Sequence, residues 1–358
     1  MDSALFTRPE VSAEREEYYR RLHSKGAVPL WDVLADLIPH APRPAAVPAL
    51  WRYEEMRPLL LEAGGVITPE EAERRVLALE NPGLPGSCLI ARSIYAGLQL
   101  ILPGEVAPTH RHTMSALRFV LEGEGGYTAV DGERTIMHPG DFILTPSWTY
   151  HDHGAVDEPV VWLDGLDIGL VNLFDASFAE PYPDNTPGGT DSERLQPVSR
   201  PVGDALARYG HNLMPVDYTP QHRGAPVFNY PYSRSREVLD QLYRNGPVDP
   251  KHGIKMQYVN PATGGYPMPT IAAFLQLLPA GFDGKPYRST DATVFCVAEG
   301  QGSTTAGSET LTWGPRDVFT VPSWMPITHR ASSEAVVFSF SDRAAQKALG
   351  VWREDTSL

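Results

Sequence analysis

HPGDFILTPSW, residues 138–148, returns 176 positions later as GPRDVFTVPSW, residues 314–324. Upstream of each copy, LEGEG (121–125) is matched by AEGQG (298–302) at an offset of 177, so the two halves align with a single-residue gap. Two strings held in register across the chain mark an internal repeat, and the sequence is read as two copies of one domain. Working outward from the first copy, runs of five to eight residues are punctuated by Pro103-Gly104, Asp131-Gly132 and Pro139-Gly140. That spacing predicts an all-β sandwich or small barrel. In YAGLQLI (95–101) strand parity puts Tyr95, Gly97, Gln99 and Ile101 on one face and Ala96, Leu98 and Leu100 on the other.

The 358 residues leave room for two ordinary domains at roughly 100–200 residues each. The 34 prolines and 31 glycines suit many turns better than a helical bundle. With 42% hydrophobic and 21% charged residues the chain can bury a core. A net charge of −14 argues against nucleic acid and against an anionic membrane as partners. The two cysteines, Cys88 and Cys296, make no metal-binding or redox spacing and predict a reducing, cytoplasmic compartment. The amino terminus lacks the pattern of a secretion signal, and no stretch is long and apolar enough to span a membrane.

Helix signals gather near the start. Ser12 can cap a helix with Glu14, Glu16 and Glu17 in its first turn and Arg20, Arg21 and Lys25 toward its end before Gly26. Thr68-Pro69-Glu70-Glu71 is a second start signal, while RRVLAL (74–79) reads equally as helix or strand. SREVLDQLY (235–243) predicts a helix within a proline-rich connection. The organisation expected is a helical arm over 1–85, a first β-domain over 86–170, a connection over 171–255, a second β-domain over 256–345 and a tail over 346–358.

Five of the eleven histidines fall within 44 residues: His110, His112, His138, His151 and His153. His110 and His112 are two apart, so on a strand both imidazoles leave the same face, and His151 and His153 repeat the pattern. A lone histidine is more often structural, as His138 beside its turn is read. Two pairs inside one small β-domain instead predict a metal site, suited to Fe, Zn, Cu or Ni. Arg118 lies six residues beyond His112, which on a continuous strand places it on the metal side, with Leu117, Phe119 and Leu121 facing another packing layer. A guanidinium inside a barrel needs a partner, and a substrate carboxylate or phenolate would serve.

PGEVAPTHRHTMSALRFVLEGEG (103–125) followed by PGDFILTPSWTYHDHG (139–154) resembles the two motifs of the cupins. The longer run around Arg118 and Trp148, with RRVLALENPGL (74–84), WLDGLDI (162–168) and YVNPATGGYPMPT (258–270), resembles the gentisate 1,2-dioxygenase family, with its salicylate and 1-hydroxy-2-naphthoate dioxygenases. The resemblance implies a mainly β bicupin of two jelly-roll barrels. It implies His110, His112 and His151 as ligands of one Fe(II) per chain, and Ala116 stands where many cupins have a fourth, glutamate ligand. The substrates implied are O2 and a small aromatic hydroxy acid, opened between its carboxyl- and hydroxyl-bearing carbons; gentisate would give maleylpyruvate. A homo-oligomer, a tetramer, is also implied, with the helical arm as a candidate contact.

By the same resemblance Arg74 anchors a carboxylate, and Tyr95, Gly97 and Gln99 line the pocket, with tryptophan replacing Tyr95 in some relatives. His153 is a candidate acid or base for the ring-hydroxyl proton, given an imidazole pKa near neutrality. Asp164 is a candidate to orient His153 or Arg118. In the second copy the ligand positions map to Tyr287, Ser289 and Ile327, leaving only His329, opposite His153, so no metal is expected there. Three other readings stay open: a salicylate, substituted-salicylate or hydroxynaphthoate dioxygenase, a non-catalytic carboxylate-binding cupin, and a three-histidine zinc hydrolase.

Overall fold

The structure, a computed structural model, describes residues 12–183 and 195–358. It divides into two compact units, 1–43 and 44–358. In the first, helices Ala13–His23 and Leu30–Leu37 are joined by the Arg15–Asp32 ion pair at 2.8 Å. Ser12 caps the first helix by accepting from Arg15 N, as its sequence signal requires. The second helix carries Leu30, Trp31, Leu34 and Leu37 exposed. No helix among the described residues is long and apolar enough to cross a membrane.

The second unit holds the two β-domains. The first is built on a six-stranded sheet in the order Asn229–Tyr230, Phe142–Thr145, Ala116–Glu122, Val160–Leu166, Tyr95–Ile101 and Val76–Ala78. A smaller sheet completes it with Ala179–Pro181, Val106–His112, His151–Ala155, Gly126–Val130 and Glu133–Met137. The second domain repeats the six-strand order with Ala49–Trp51, Val318–Val321, Thr293–Glu299, Ala335–Ser341, Ala272–Leu278 and Ile254–Gln257. The repeat extends to backbone detail, since Trp148 and Trp324 both sit at φ 62°.

The two large sheets share one core. Ala96, Leu98, Leu100, Leu117, Phe119 and Leu121 meet Leu275, Leu277, Val294, Phe338 and Phe340, and Phe119 stacks on Phe338 with ring centroids 4.3 Å apart. Ile101, Val120, Ile143, Val160 and Trp162 turn the other way, into the first barrel. A strand buried on both faces reads as a nearly continuous apolar run, which is the texture of ALRFVL.

The expected segment boundaries change in three places. Residues 44–85 are not part of a helical arm: Ala49–Trp51 pairs with Val318–Val321, helix Tyr53–Val66 buries Tyr53 and Leu60, and RRVLAL supplies strand Val76–Ala78. Thr68 and Glu71 do form a capping box, but around a helix of four residues, Pro69–Ala72. The connection 171–255 gives Ala179–Pro181 and Asn229–Tyr230 to the first domain, and Ile254 begins the second. The tail is also held, through Glu354–Asp355 on Arg288–Ser289 and through Trp352 Nε1 donating to Asp291 Oδ1 at 2.8 Å. In each case a short apolar or hydrogen-bonding segment too brief to show periodicity is recruited by a distant sheet edge.

Candidate metal centre

Strands Val106–His112 and His151–Ala155 lie side by side, with a register shift between Ala107 and His110 that sets His110 opposite His151. One ligand atom each from His110, His112 and His151 falls within 4.8 Å of the others. Among the described residues this is the one such group of three metal-binding side chains.

Each ring turns Nδ1 toward a main-chain carbonyl: His112 to Met114 O at 2.9 Å, His151 to Thr149 O at 2.9 Å, and His110 to Pro108 O at 3.3 Å. A proton held at Nδ1 leaves the Nε2 lone pair for a metal, the arrangement that carbonyl partners of ligating histidines enforce. His151 Nε2 is buried with no hydrogen-bond partner among the described residues. Leaving such an atom without a partner costs roughly 1–3 kcal/mol, and a metal ion would remove that cost. The donor set therefore fits a divalent transition metal.

Burial, then Arg74, pushes His110 down to about 3, and burial pushes His112 down to about 4. Burial, then the neighbouring histidines, drives His151 well below its ordinary value. All three rings are neutral at pH 7, the state in which imidazole ligates. Arg74 Nη2 reaches Pro108 O at 2.8 Å and stands 2.5 Å from His110 Nδ1. A guanidinium only donates, so at this distance it uses the His110 Nδ1 lone pair, and freeing His110 Nε2 for a metal requires Arg74 to move off Nδ1.

Arg118 reaches the barrel interior, although not for the parity reason: the chain turns between His112 and Ala116, and Arg118 belongs to the separate strand Ala116–Glu122. It is buried, donating from Nη1 to Thr145 Oγ1 at 2.7 Å and from Nη2 to His153 Nε2 at 2.8 Å. Because Arg118 occupies the His153 Nε2 lone pair, the ring proton is assigned to Nδ1, which donates to Thr128 Oγ1 at 3.0 Å. Burial, then Arg118, drives His153 well below neutrality, so the near-neutral pKa expected for it is corrected. Asp164 faces Arg118 across the sheet, its Oδ1 3.6 Å from Arg118 Nε, and accepts from Trp162 Nε1 at 2.9 Å. Burial pushes the Asp164 carboxyl up to about 6 against the pull of Arg118. Asp164 thus pairs in charge with Arg118, without a hydrogen bond to its Nε, and makes no hydrogen bond to His153 among the described residues.

Tyr95, Gly97 and Gln99 lie along the next strand, with Gly97 opposite Asp164. A Cβ on Gly97 would stand 2.6 Å from the Tyr95 hydroxyl and 2.6 Å from Val76 Cγ1, so glycine is what lets Tyr95 fold back there. Gln99 is buried and shares a cavity of about 20 Å³ with Arg74. Trp148 is half-buried, packed against Phe178 and Arg111, and not in the core.

Several residues escaped the sequence reading. Thr128 and Thr145 had no motif, although Thr128 aligns with Thr304, which holds His329 Nδ1 in the second barrel at 2.8 Å. Gln196 had no local signal, yet from outside the barrel it donates to Asp152 Oδ2 at 2.9 Å and its main-chain N donates to Thr109 Oγ1 at 2.8 Å.

Comparison with known proteins agrees with this geometry. The cupin domain family model matches residues 97–166. A gentisate 1,2-dioxygenase from Aquipseudomonas alcaligenes is 54% identical over 97% of this chain and 98% of that protein. A 1-hydroxy-2-naphthoate 1,2-dioxygenase from a Nocardioides strain is 38% identical over 88% of this chain and 80% of its own length. Among solved structures, salicylate 1,2-dioxygenase from Pseudoaminobacter salicylatoxidans as a gentisate adduct superposes with a TM-score of 0.89 at 33% identity, over 100% of this chain and 97% of that one. With two jelly-roll domains in one chain, a three-histidine cluster in the first and near-full-length relatives of this kind, the protein belongs to the bicupin family of gentisate and salicylate ring-cleaving dioxygenases.

Proposed function

We propose that the chain is a gentisate 1,2-dioxygenase that uses one Fe(II) held by His110, His112 and His151. The observation that carries the reading is the three neutral imidazoles set beside two buried or half-buried guanidiniums, Arg118 and Arg74. When bound, Fe(II) supplies a Lewis acid and a template for both the hydroxy acid and O2. Both oxygen atoms enter the product as the bond between the carboxyl- and hydroxyl-bearing carbons breaks, so gentisate plus O2 equals maleylpyruvate and no outside reductant is needed.

The chain's own residues supply the anion recognition. Arg118 offers a fixed cation whose direction is set by Thr145, His153 and Asp164. Arg74 offers a second, free to leave Pro108 O for a substrate carboxylate. Tyr95, Gly97 and Gln99 form the wall that meets the ring. His153 acts through Arg118 as a positioning residue, since its Nε2 is already occupied. The second barrel carries Tyr287, Ser289 and Ile327 at the ligand positions and takes no iron. The free thiols of Cys88 and Cys296 suit the cytoplasm. The exposed apolar face of Leu30–Leu37 suits a contact between copies in a homotetramer.

The test is ultraviolet detection of ring-opened product, with O2 uptake, from gentisate, salicylate and 1-hydroxy-2-naphthoate in the presence of Fe(II). Gentisate is expected to be turned over with one O2 per ring and to exceed the other two at least tenfold. Equal turnover of salicylate would instead assign the salicylate branch, and no O2 uptake with any of them would assign a carboxylate-binding cupin.

A further inference from the structure

The second barrel has lost its histidines but not its positive charge. Tyr287 and Ser289 stand where the first barrel has His110 and His112. With Lys255, Asp291, Phe295, Ile327 and Arg343 they line a cavity of about 20 Å³, room for one water-sized occupant. Arg343 Nε binds Asp291 Oδ2 at 3.1 Å, and Trp352 Nε1 takes Asp291 Oδ1 at 2.8 Å, so both carboxylate oxygens are engaged. Lys255, by contrast, makes no ion pair or hydrogen bond among the described residues; its ammonium only overlies the Phe274 ring, 4.9 Å from the centroid. Gln276, paired with Lys255 across the strands, has a buried Oε1 with no partner among the described residues. His252 and His329 are each pushed down to about 3, mainly by burial, and add no charge.

Arg343 is balanced by Asp291, so the cavity carries a net charge of +1 when the Lys255 amine is protonated and none when it is not, and its volume excludes anything large. We propose that the second barrel is a binding site for one small monoanion, of halide size, held by the Lys255 ammonium at the depth that corresponds to the histidine cluster of the first barrel. Lys255 is half-buried and makes no ion pair of its own among the described residues, and an anion seated beside it would favour its charged form. Burial, then Arg343, brings the Lys255 amine down to about 7 against the pull of Asp291 and Glu354.

The test uses the full-length protein with sodium bromide, in two forms. In crystals, the anomalous difference map of the unmodified protein is expected to show bromide in the second barrel next to Lys255 Nζ, and that of Lys255→Met to show none there. In solution, chloride and bromide, each against gluconate at equal ionic strength, are expected to raise the melting temperature saturably, with at least tenfold weaker half-saturation in Lys255→Met and a retained response in Lys255→Arg. Gentisate turnover should be unchanged in both variants, which shows that they fold. A second barrel without bromide, or an anion response that survives Lys255→Met, would overturn the proposal.

Discussion

At the metal cluster His112 and His151 commit Nδ1 to the carbonyl of a residue two positions away, so their sequence neighbours set their tautomers, whereas His110 Nδ1 meets Arg74 Nη2 at 2.5 Å. The depressed pKa values have a consequence for the metal-free protein. Unfolded histidines take up protons as pH falls through 6.5, whereas His110 and His112 resist until about 3 and about 4. The unfolded state then binds more protons, and stability falls as pH drops below 6.5. Below pH 6, Asp164, Asp167 and Asp342, each raised to about 6 chiefly by burial, work in the opposite sense, so the net decline is clearest between 6.5 and 6. Urea midpoints of the metal-free protein against pH should show this decline, and His112→Gln should remove one proton from the slope; an unchanged slope in that variant would refute the assignment. A second expectation concerns Arg118→Lys. An ammonium cannot reach Thr145 and His153 together, and losing one charged hydrogen bond of roughly 1.5–3 kcal/mol corresponds to a tenfold to hundredfold rise in KM. Metal content, measured alongside, should stay unchanged.

At the scale of strands, the register shift between Ala107 and His110 interrupts the backbone ladder beside the first ligand. Side chains bridge the gap from outside. Thr109 Oγ1 donates to Asp152 Oδ2 at 2.8 Å, and Gln196 adds bonds to Asp152 and Thr109 while its Oε1 accepts from Gly132 N at 2.8 Å. Thr109 and Asp152 are chain neighbours of His110 and His151 on the opposite strand faces, so this clamp holds the two ligand strands at their spacing. Gln196→Leu should cost roughly 1–3 kcal/mol by leaving buried groups unpaired. It should also speed metal loss to a chelator, and a variant that melts lower yet retains metal as the unmodified protein does would show that the clamp is only structural. The His-x-His pairs were legible because strand parity is local. The clamp was not, because Gln196 lies 44 residues beyond Asp152 and nothing nearby marks it.

Over the whole molecule the two repeats clasp each other. Asp141 Oδ1 accepts from Tyr232 N at 2.9 Å, at the start of helix Tyr232–Asn245, while its counterpart Asp317 accepts through Oδ1 from Tyr53 N at 2.8 Å, at the start of helix Tyr53–Val66. Each helix follows a short strand, Asn229–Tyr230 or Ala49–Trp51, added to the edge of the barrel formed by the other repeat. Asp317→Ala should cost on the order of 1–2 kcal/mol, the loss of a helix-capping carboxylate, seen as a lower urea midpoint. Phe338→Ala should cost more, roughly 3–5 kcal/mol, because it opens the core between the large sheets. Both barrels should still unfold in one transition, and separate transitions for them would contradict a shared core.

Local pattern was enough to establish two copies of one β-domain, the faces of strands such as YAGLQLI, and two His-x-His pairs confined to the first copy. Each of these rests on spacing along a few residues, where strand periodicity and turn chemistry act directly. Tertiary structure alone decided that the large sheets pack on each other, that residues 49–51 and 229–230 cross between repeats, that Arg118 lies against His153 and Asp164, and that the second barrel holds a lysine with no ion-pair partner among the described residues. Those arrangements join groups tens to hundreds of residues apart, and the burial and charge pairing that select them exist only once the chain has closed on itself.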